Sequence, residues 1–147
     1  MLETGARAPD FTLPDQNGDA VHLAAVLASG PVLLYFYPAD FTPGCTREAC
    51  AFRDLYPTLA AAKLTVLGVS PQDSASHRRF REKYHLPFSL LADPERTVIR
   101  AYQCEGPLGL LRRTSYRIGP DGTIRRALRA DLRIGRHRAF AAEIAEP

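Results

Sequence analysis

One stretch restricts the possible folds more than any other: the run from Pro31 to Tyr37 (PVLLYFY), halted by Pro38. A strand with one wet face alternates apolar and polar residues. A continuous apolar and aromatic run of this length instead reads as a strand buried on both sides. The run from Leu64 to Val69 (LTVLGV) reads the same way. Two such strands require covering layers on both faces, hence a core shared by several elements. The chain is long enough to supply it: 147 residues, 46% hydrophobic, fit a single domain over residues 1–147.

The remaining elements fall around these two strands. Phe11 to Leu13 and Val21 to Leu23 flank Asn17-Gly18 and predict an N-terminal hairpin. Cys45 to about Ala62 predicts a helix with apolar positions at Ala49, Phe52, Leu55, Tyr56 and Leu59, broken or kinked by Pro57. Asp73 or Ser74 can cap a helix that runs to Tyr84. Leu86 to Leu91 is a poorer strand, and Glu95 to Tyr102 a short helix. Thr114 to Ile118 and Thr123 to Leu128 are strands joined by the turn signal Gly119-Pro120-Asp121-Gly122. Gly135 to Glu146 is a closing helix. Alternating strands and helices followed by an antiparallel hairpin imply a mixed central sheet with helices on both faces. That order is compatible with a thioredoxin-like α/β fold.

The chemistry concentrates in Thr42 to Cys50, TPGCTREAC. A strand ends, the chain turns, and Cys45 falls in the first turn of a helix. Free N–H groups and the positive end of the helix dipole favour an anion there. A cysteine so placed is expected to ionise readily, and the thiolate is the reactive form. Gly44 permits close backbone approach, and Thr42 and Thr46 offer hydroxyl donors. Cys50 follows five residues later on the same helix. That spacing rotates it about 140° and separates the two Cα atoms by roughly 8.6 Å, whereas a disulfide needs about 7 Å or less. The two sulfurs can therefore join only if the start of the helix unwinds, which implies a switch between two local states.

Metal binding is not expected. Zinc wants four ligands, usually in close pairs. Cys45 and Cys50 point away from each other, and His22, His77, His85 and His137 are scattered. No cofactor motif is present.

The segment YFYPADFTPGCTREACAFRD resembles the active-site segment of the peroxiredoxins, a family of AhpC/TSA thiol peroxidases. It is most similar to their Q-type, or bacterioferritin-comigratory-protein, branch. Pro38, Thr42 and Cys45 match the pattern Pro-x-x-x-Thr-x-x-Cys, and Cys50 matches the second cysteine of the Q type. GARAPDFTLPDQNG, VLGVSPQDSASHRRFREKYHLPFSLLADP and RRTSYRIGPDGTI extend the resemblance over most of the chain. The resemblance implies a thioredoxin-like fold and a peroxidase acting on hydrogen peroxide and organic hydroperoxides. Cys45 would be the peroxidatic cysteine and Cys50 the resolving one, closing an intramolecular disulfide that thioredoxin or a similar dithiol reduces. Thr42 would hydrogen-bond the sulfur and the peroxide, and Pro43 would shield the oxidised sulfur. Arg113, ahead of Thr114-Ser115-Tyr116, would hold a positive charge at the site. Its neighbour Arg112 would face the other way, because adjacent strand residues do. Glu48 would support the helix cap or the arginine. Cys104 has no counterpart in this pattern; it stands as an alternative resolver, an exposed thiol or an inert one.

Other classes remain to be weighed. A general dithiol oxidoreductase would use a closer cysteine pair. A nucleic-acid-binding module would need its arginines on one face, but Arg125, Arg126, Arg129, Arg133, Arg136 and Arg138 span a strand, a turn and a helix start. The net charge of +3 thus reads as a solvated surface. No run reaches the roughly 18 apolar residues of a membrane span, and MLETGARAPDF has no signal-peptide core. The expectation is a soluble, cytoplasmic, monomeric enzyme with no nucleic-acid or membrane partner.

Overall fold

The computed structural model describes residues 1–146. Its centre is a five-stranded mixed sheet in the order β5-β4-β3-β6-β7. The strands are β3 (Val32–Phe36), β4 (Thr65–Ser70), β5 (Ser89–Ala92), β6 (Thr114–Ile118) and β7 (Ile124–Arg129). β3 pairs in parallel with β4 and antiparallel with β6, so the run identified as doubly buried is the middle strand. All five of its residues are buried. Val32, Leu34 and Phe36 face one core, with Phe11, Ile99, Tyr102 and Tyr116. Leu33, Tyr35 and Tyr37 face the other, with Cys45, Phe52, Leu59, Phe80 and Phe140.

The predicted hairpin forms a separate two-stranded sheet, β1 (Thr12–Pro14) with β2 (Ala20–His22). The second strand was expected to include Leu23. Instead Leu23 opens a short helix, α1 (Leu23–Leu27), absent from the sequence reading. Asp10 supplies what the local sequence lacks: its carboxylate accepts the Ala24 N–H at 3.1 Å, satisfying one of the helix's free donors.

The long helix expected from Cys45 to Ala62 is two helices, α2 (Pro43–Asp54) and α3 (Tyr56–Ala61). The break comes at Leu55, and Pro57 sits in the first turn of α3, where its missing N–H costs nothing. α4 (Ser74–Tyr84) is capped by Asp73, whose side chain accepts from Ser76 N at 2.8 Å. α5 (Thr97–Ala101) and α6 (Gly135–Ile144) follow, both shorter than expected. α1 and α5 cover one face of the sheet, while α2, α3, α4 and α6 cover the other. Helices on both faces of a mixed sheet, with an N-terminal hairpin, are the architecture expected.

Candidate active site

The site lies where β3 hands over to α2. Pro38 ends the strand, the loop Ala39–Phe41 carries the chain across, and Thr42 is the helix N-cap in an extended conformation. Pro43, exposed at the first position of α2, has no N–H to leave unsatisfied. The first intrahelical bond is Thr46 N–H to Thr42 O at 2.9 Å. The N–H groups of Gly44 and Cys45 therefore lack intrahelical acceptors and turn their positive ends toward the helix mouth. A Cβ at Gly44 would lie 2.9 Å from Ile134 Cδ1 and 3.4 Å from Arg113 Nη2, so a larger residue would press on the end of the arginine that faces the sulfur.

Cys45 is buried, at 1% exposure. Arg113, also buried, donates from Nη2 to Cys45 Sγ at 3.3 Å and from Nη1 to Glu48 Oε1 at 2.6 Å. Cys45 and Glu48 are three residues apart on α2, so they share a face and one guanidinium spans both. Burial works against the charge on Arg113, but Glu48 and Cys45 outweigh it and raise its pKa. Burial likewise pushes the Glu48 carboxyl up to about 7, against the pull of Arg113.

The two adjacent arginines lie just before β6 and turn to different partners. Arg112 is half-exposed and pairs with Asp131 Oδ2 at 2.9 Å, on the side away from the cysteine. The other oxygen of Asp131 accepts the Arg113 backbone N–H at 2.9 Å, so one aspartate anchors both residues. Glu48 serves the arginine rather than the helix cap. Thr42 donates its hydroxyl to Ala39 O at 3.2 Å, which fixes the loop and leaves the oxygen at the helix mouth.

Cys50 is half-buried, and Cys45, Cys50 and Cys104 are all free thiols. Cys104 is fully buried with Sγ 3.4 Å from Tyr102 O, and burial raises its pKa. Of the readings open for it, an exposed thiol is removed.

His137 and Ser115 were missed by the sequence reading. Ser115, two residues after Arg113, lies on the same face of the strand as the arginine. Its Oγ is 2.7 Å from His137 Nδ1, and His137 Nε2 is 2.9 Å from Ala130 O. Burial lowers the His137 pKa. The neutral ring therefore carries its proton on Nε2, facing the carbonyl, and accepts the Ser115 hydroxyl at Nδ1. The same Nδ1 lies 3.5 Å from Glu48 Oε2. A histidine on α6, 92 positions from Cys45 in the chain, thus closes the back of the site. Only its Arg-His-Arg setting could have drawn attention to it, and that read as a solvated helix.

Among the described residues no group of three or more His, Cys, Asp or Glu could hold a metal ion. None of their helices is long and apolar enough to cross a membrane. Arg125 and Arg126 pair with Asp121 and Glu143 on the surface. A groove of about 500 Å³ lined by Phe11, Leu13, Val98 and Tyr102 lies on the opposite face of the sheet and contains none of these site residues.

Comparison with known proteins bears on the family of the chain. Residues 4–127 match the AhpC/TSA family. Peroxiredoxin Q of Arabidopsis thaliana, described as chloroplastic, is 47% identical over 125 residues, 84% of this chain and 57% of the relative. The chain spans 42–57% of the length of this and two rice relatives, roughly half. Among solved structures, the peroxidoxin BcpB of Mycobacterium tuberculosis superposes with a TM-score of 0.92 at 34% identity, covering 99% of this chain and 97% of the other. The bacterioferritin comigratory protein of Xanthomonas campestris, described through its alkyl peroxide reduction activity, gives 0.85 at 29% identity, covering 99% of each chain. A cysteine at a helix mouth under a buried arginine, in this fold and with these relatives, places the chain in the AhpC/TSA family, on its peroxiredoxin Q branch.

Proposed function

We propose that the protein is a thiol peroxidase that reduces hydrogen peroxide and organic hydroperoxides through an intramolecular disulfide. The observation that carries this reading is the Arg113 guanidinium, held by Glu48 and directed at Cys45 Sγ in a buried mouth. A fixed cation there favours negative charge on the sulfur and on the oxygens that pass it.

In the first step the Cys45 thiolate attacks the terminal peroxide oxygen. The S–O bond forms as the O–O bond breaks, and the alkoxide or hydroxide leaves and takes a proton from solvent. Arg113 and the Gly44 and Cys45 N–H groups face the charge that develops. Cys45 becomes a sulfenic acid. Thr42 bounds the mouth with its hydroxyl oxygen, and Pro43 covers its rim.

In the second step the Cys50 thiol attacks the sulfenic sulfur. The S–S bond forms, the S–O bond breaks, and the hydroxyl departs with the thiol proton as water. Cys50 lies around the helix from Cys45, so α2 must open from its N-terminus for this step. An opened helix exposes the disulfide to a second dithiol, thioredoxin or a similar protein, which reduces it by exchange. An intrachain resolver needs no second subunit, so the enzyme works as a monomer. A reduced resting pair suits the cytoplasm.

The test is mass spectrometry of the peptide spanning Cys45 and Cys50 after one equivalent of hydrogen peroxide. Loss of two hydrogens without added oxygen is expected. Cys45→Ser should abolish peroxide consumption, and Cys50→Ser should stop at the sulfenic acid. A Cys45→Ser protein with undiminished activity would end this reading.

A further inference from the structure

The loop that delivers Cys45 is tied to α4 by a buried polar cluster that the reaction itself does not use. Asp40 and His77 both have 0% side-chain exposure, and His77 Nδ1 is 2.7 Å from Asp40 Oδ2. The same carboxylate accepts the Tyr37 hydroxyl at 2.7 Å and the Ser76 hydroxyl at 2.7 Å. The Asp40 backbone N–H donates to Gln72 Oε1 at 2.6 Å. His77 Nε2 faces Leu91 O at 3.1 Å. His77 Nδ1 also lies 3.3 Å from the Tyr37 hydroxyl oxygen. Every polar atom of the Asp40 carboxylate and the His77 ring thus has a partner inside one buried network.

The next residue is held against its own preference. Phe41 has φ = 66°, in the left-handed region where a bulky side chain is an outlier. Its ring packs edge-on against Phe80 of α4 at 5.2 Å between centroids, with Lys83 Nζ 5.8 Å from its centroid. Removing one member of a buried, fully partnered polar network leaves the others unsatisfied, so the network engages or releases as a unit. Release would also free Phe41 from its strained conformation.

We propose that Asp40 and His77 are positioning residues that latch the start of α2 in its folded, peroxide-reactive state and set how readily it opens for Cys50. This rests on the reading of Cys45 as the attacking sulfur and Cys50 as the resolving one. The latch lies between the strand that ends at Phe36 and the helix that must unwind. Its partners are Tyr37 just after the central strand, Gln72 just before α4, Ser76 and His77 on α4 and Leu91 on β5, none of them on the helix that unwinds. Loosening it therefore favours the second step at the expense of the first.

The test is Asp40→Asn, with Ser76→Ala as a milder variant that retains the Asp40–His77 contact and loses one donor. Rapid quench with hydrogen peroxide, followed by mass spectrometry of the Cys45–Cys50 peptide, separates oxidation from disulfide closure. In Asp40→Asn the bimolecular oxidation rate should fall about tenfold and the closure rate rise about fivefold. Ser76→Ala should shift both about twofold in the same directions. Amide exchange should quicken across Gly44–Ala49 and stay unchanged in α6 and the central strands. Oxidation and closure slowed together, or exchange raised evenly through the molecule, would overturn the latch. Should Asp40→Asn fail to fold, the Ser76→Ala rates decide alone. Should the native protein close no disulfide, the resolving role of Cys50 fails, and exchange over Gly44–Ala49 still judges the latch.

Discussion

Glu48 offers the sharpest quantitative test of the site's electrostatics, because its carboxyl is buried and its pKa is pushed up to about 7 from 4.5. A carboxyl whose folded pKa exceeds its unfolded one binds more protons folded than unfolded. The stability it contributes is fully present below pH 4.5 and is lost as pH rises through 7. Over the whole window the change is about 3 kcal/mol, most of it between pH 5 and pH 8. Glu48→Gln keeps the shape and removes the titration. The variant can be less stable overall, since it weakens the hold on Arg113, but that cost is nearly independent of pH. His137, whose pKa is lowered by burial, contributes the opposite slope in both proteins, and the same comparison in a His137→Asn background removes it. The assay is urea unfolding of both proteins at pH 5, 6, 7 and 8. The native protein should lose roughly 2–3 kcal/mol relative to Glu48→Gln from the lowest to the highest pH. That is roughly 1 M in relative midpoint for a urea slope in the usual range. Two stability curves running parallel within about 0.5 kcal/mol would refute the argument. Glu48 would then be ionised throughout, with Arg113 fully offsetting its burial.

Two further outcomes follow from the same geometry. Arg113→Lys retains a positive charge but loses the fork that spans Cys45 and Glu48. Stopped-flow peroxide consumption should show the rate constant of the first step lower by about 10²–10³, with the fold intact by circular dichroism. Gly68→Ala places a Cβ 2.9 Å from both Leu90 Cδ2 and Tyr35 Cζ, two packed core side chains. It should destabilise by about 2 kcal/mol and lower Tm by about 6 °C in calorimetry.

The sequence by itself determined the layout around β3. Seven successive apolar residues, Pro31 to Tyr37, admit no wet face, so the strand had to be central and covered on both sides. Local turn chemistry did the rest there: Pro38 ends the strand, and Thr42-Pro43-Gly44 starts a helix with Cys45 in its first turn. That Cys50 lies around the helix from Cys45 follows from helix geometry alone, whereas the family resemblance is what singles out Arg113 over Arg112. The strand, the turn and the cysteine spacing each depend on neighbours in the chain.

What depends on distant neighbours was not legible. α1 exists because Asp10, far upstream, satisfies a free N–H in LAAVL. Cys104 sits in a segment that reads as a surface loop, yet it is sealed beneath Tyr102 and Tyr116. Asp40 and His77 look like an exposed loop aspartate and a helix-face histidine until the fold brings them to 2.7 Å. His137 reaches Glu48 and Ser115 only because α6 packs back across α2 and the sheet. A polar side chain carries no periodic signal of its own burial. Whether it is solvated, paired or left to hold a reacting sulfur in place is set by which elements the tertiary structure lays against it.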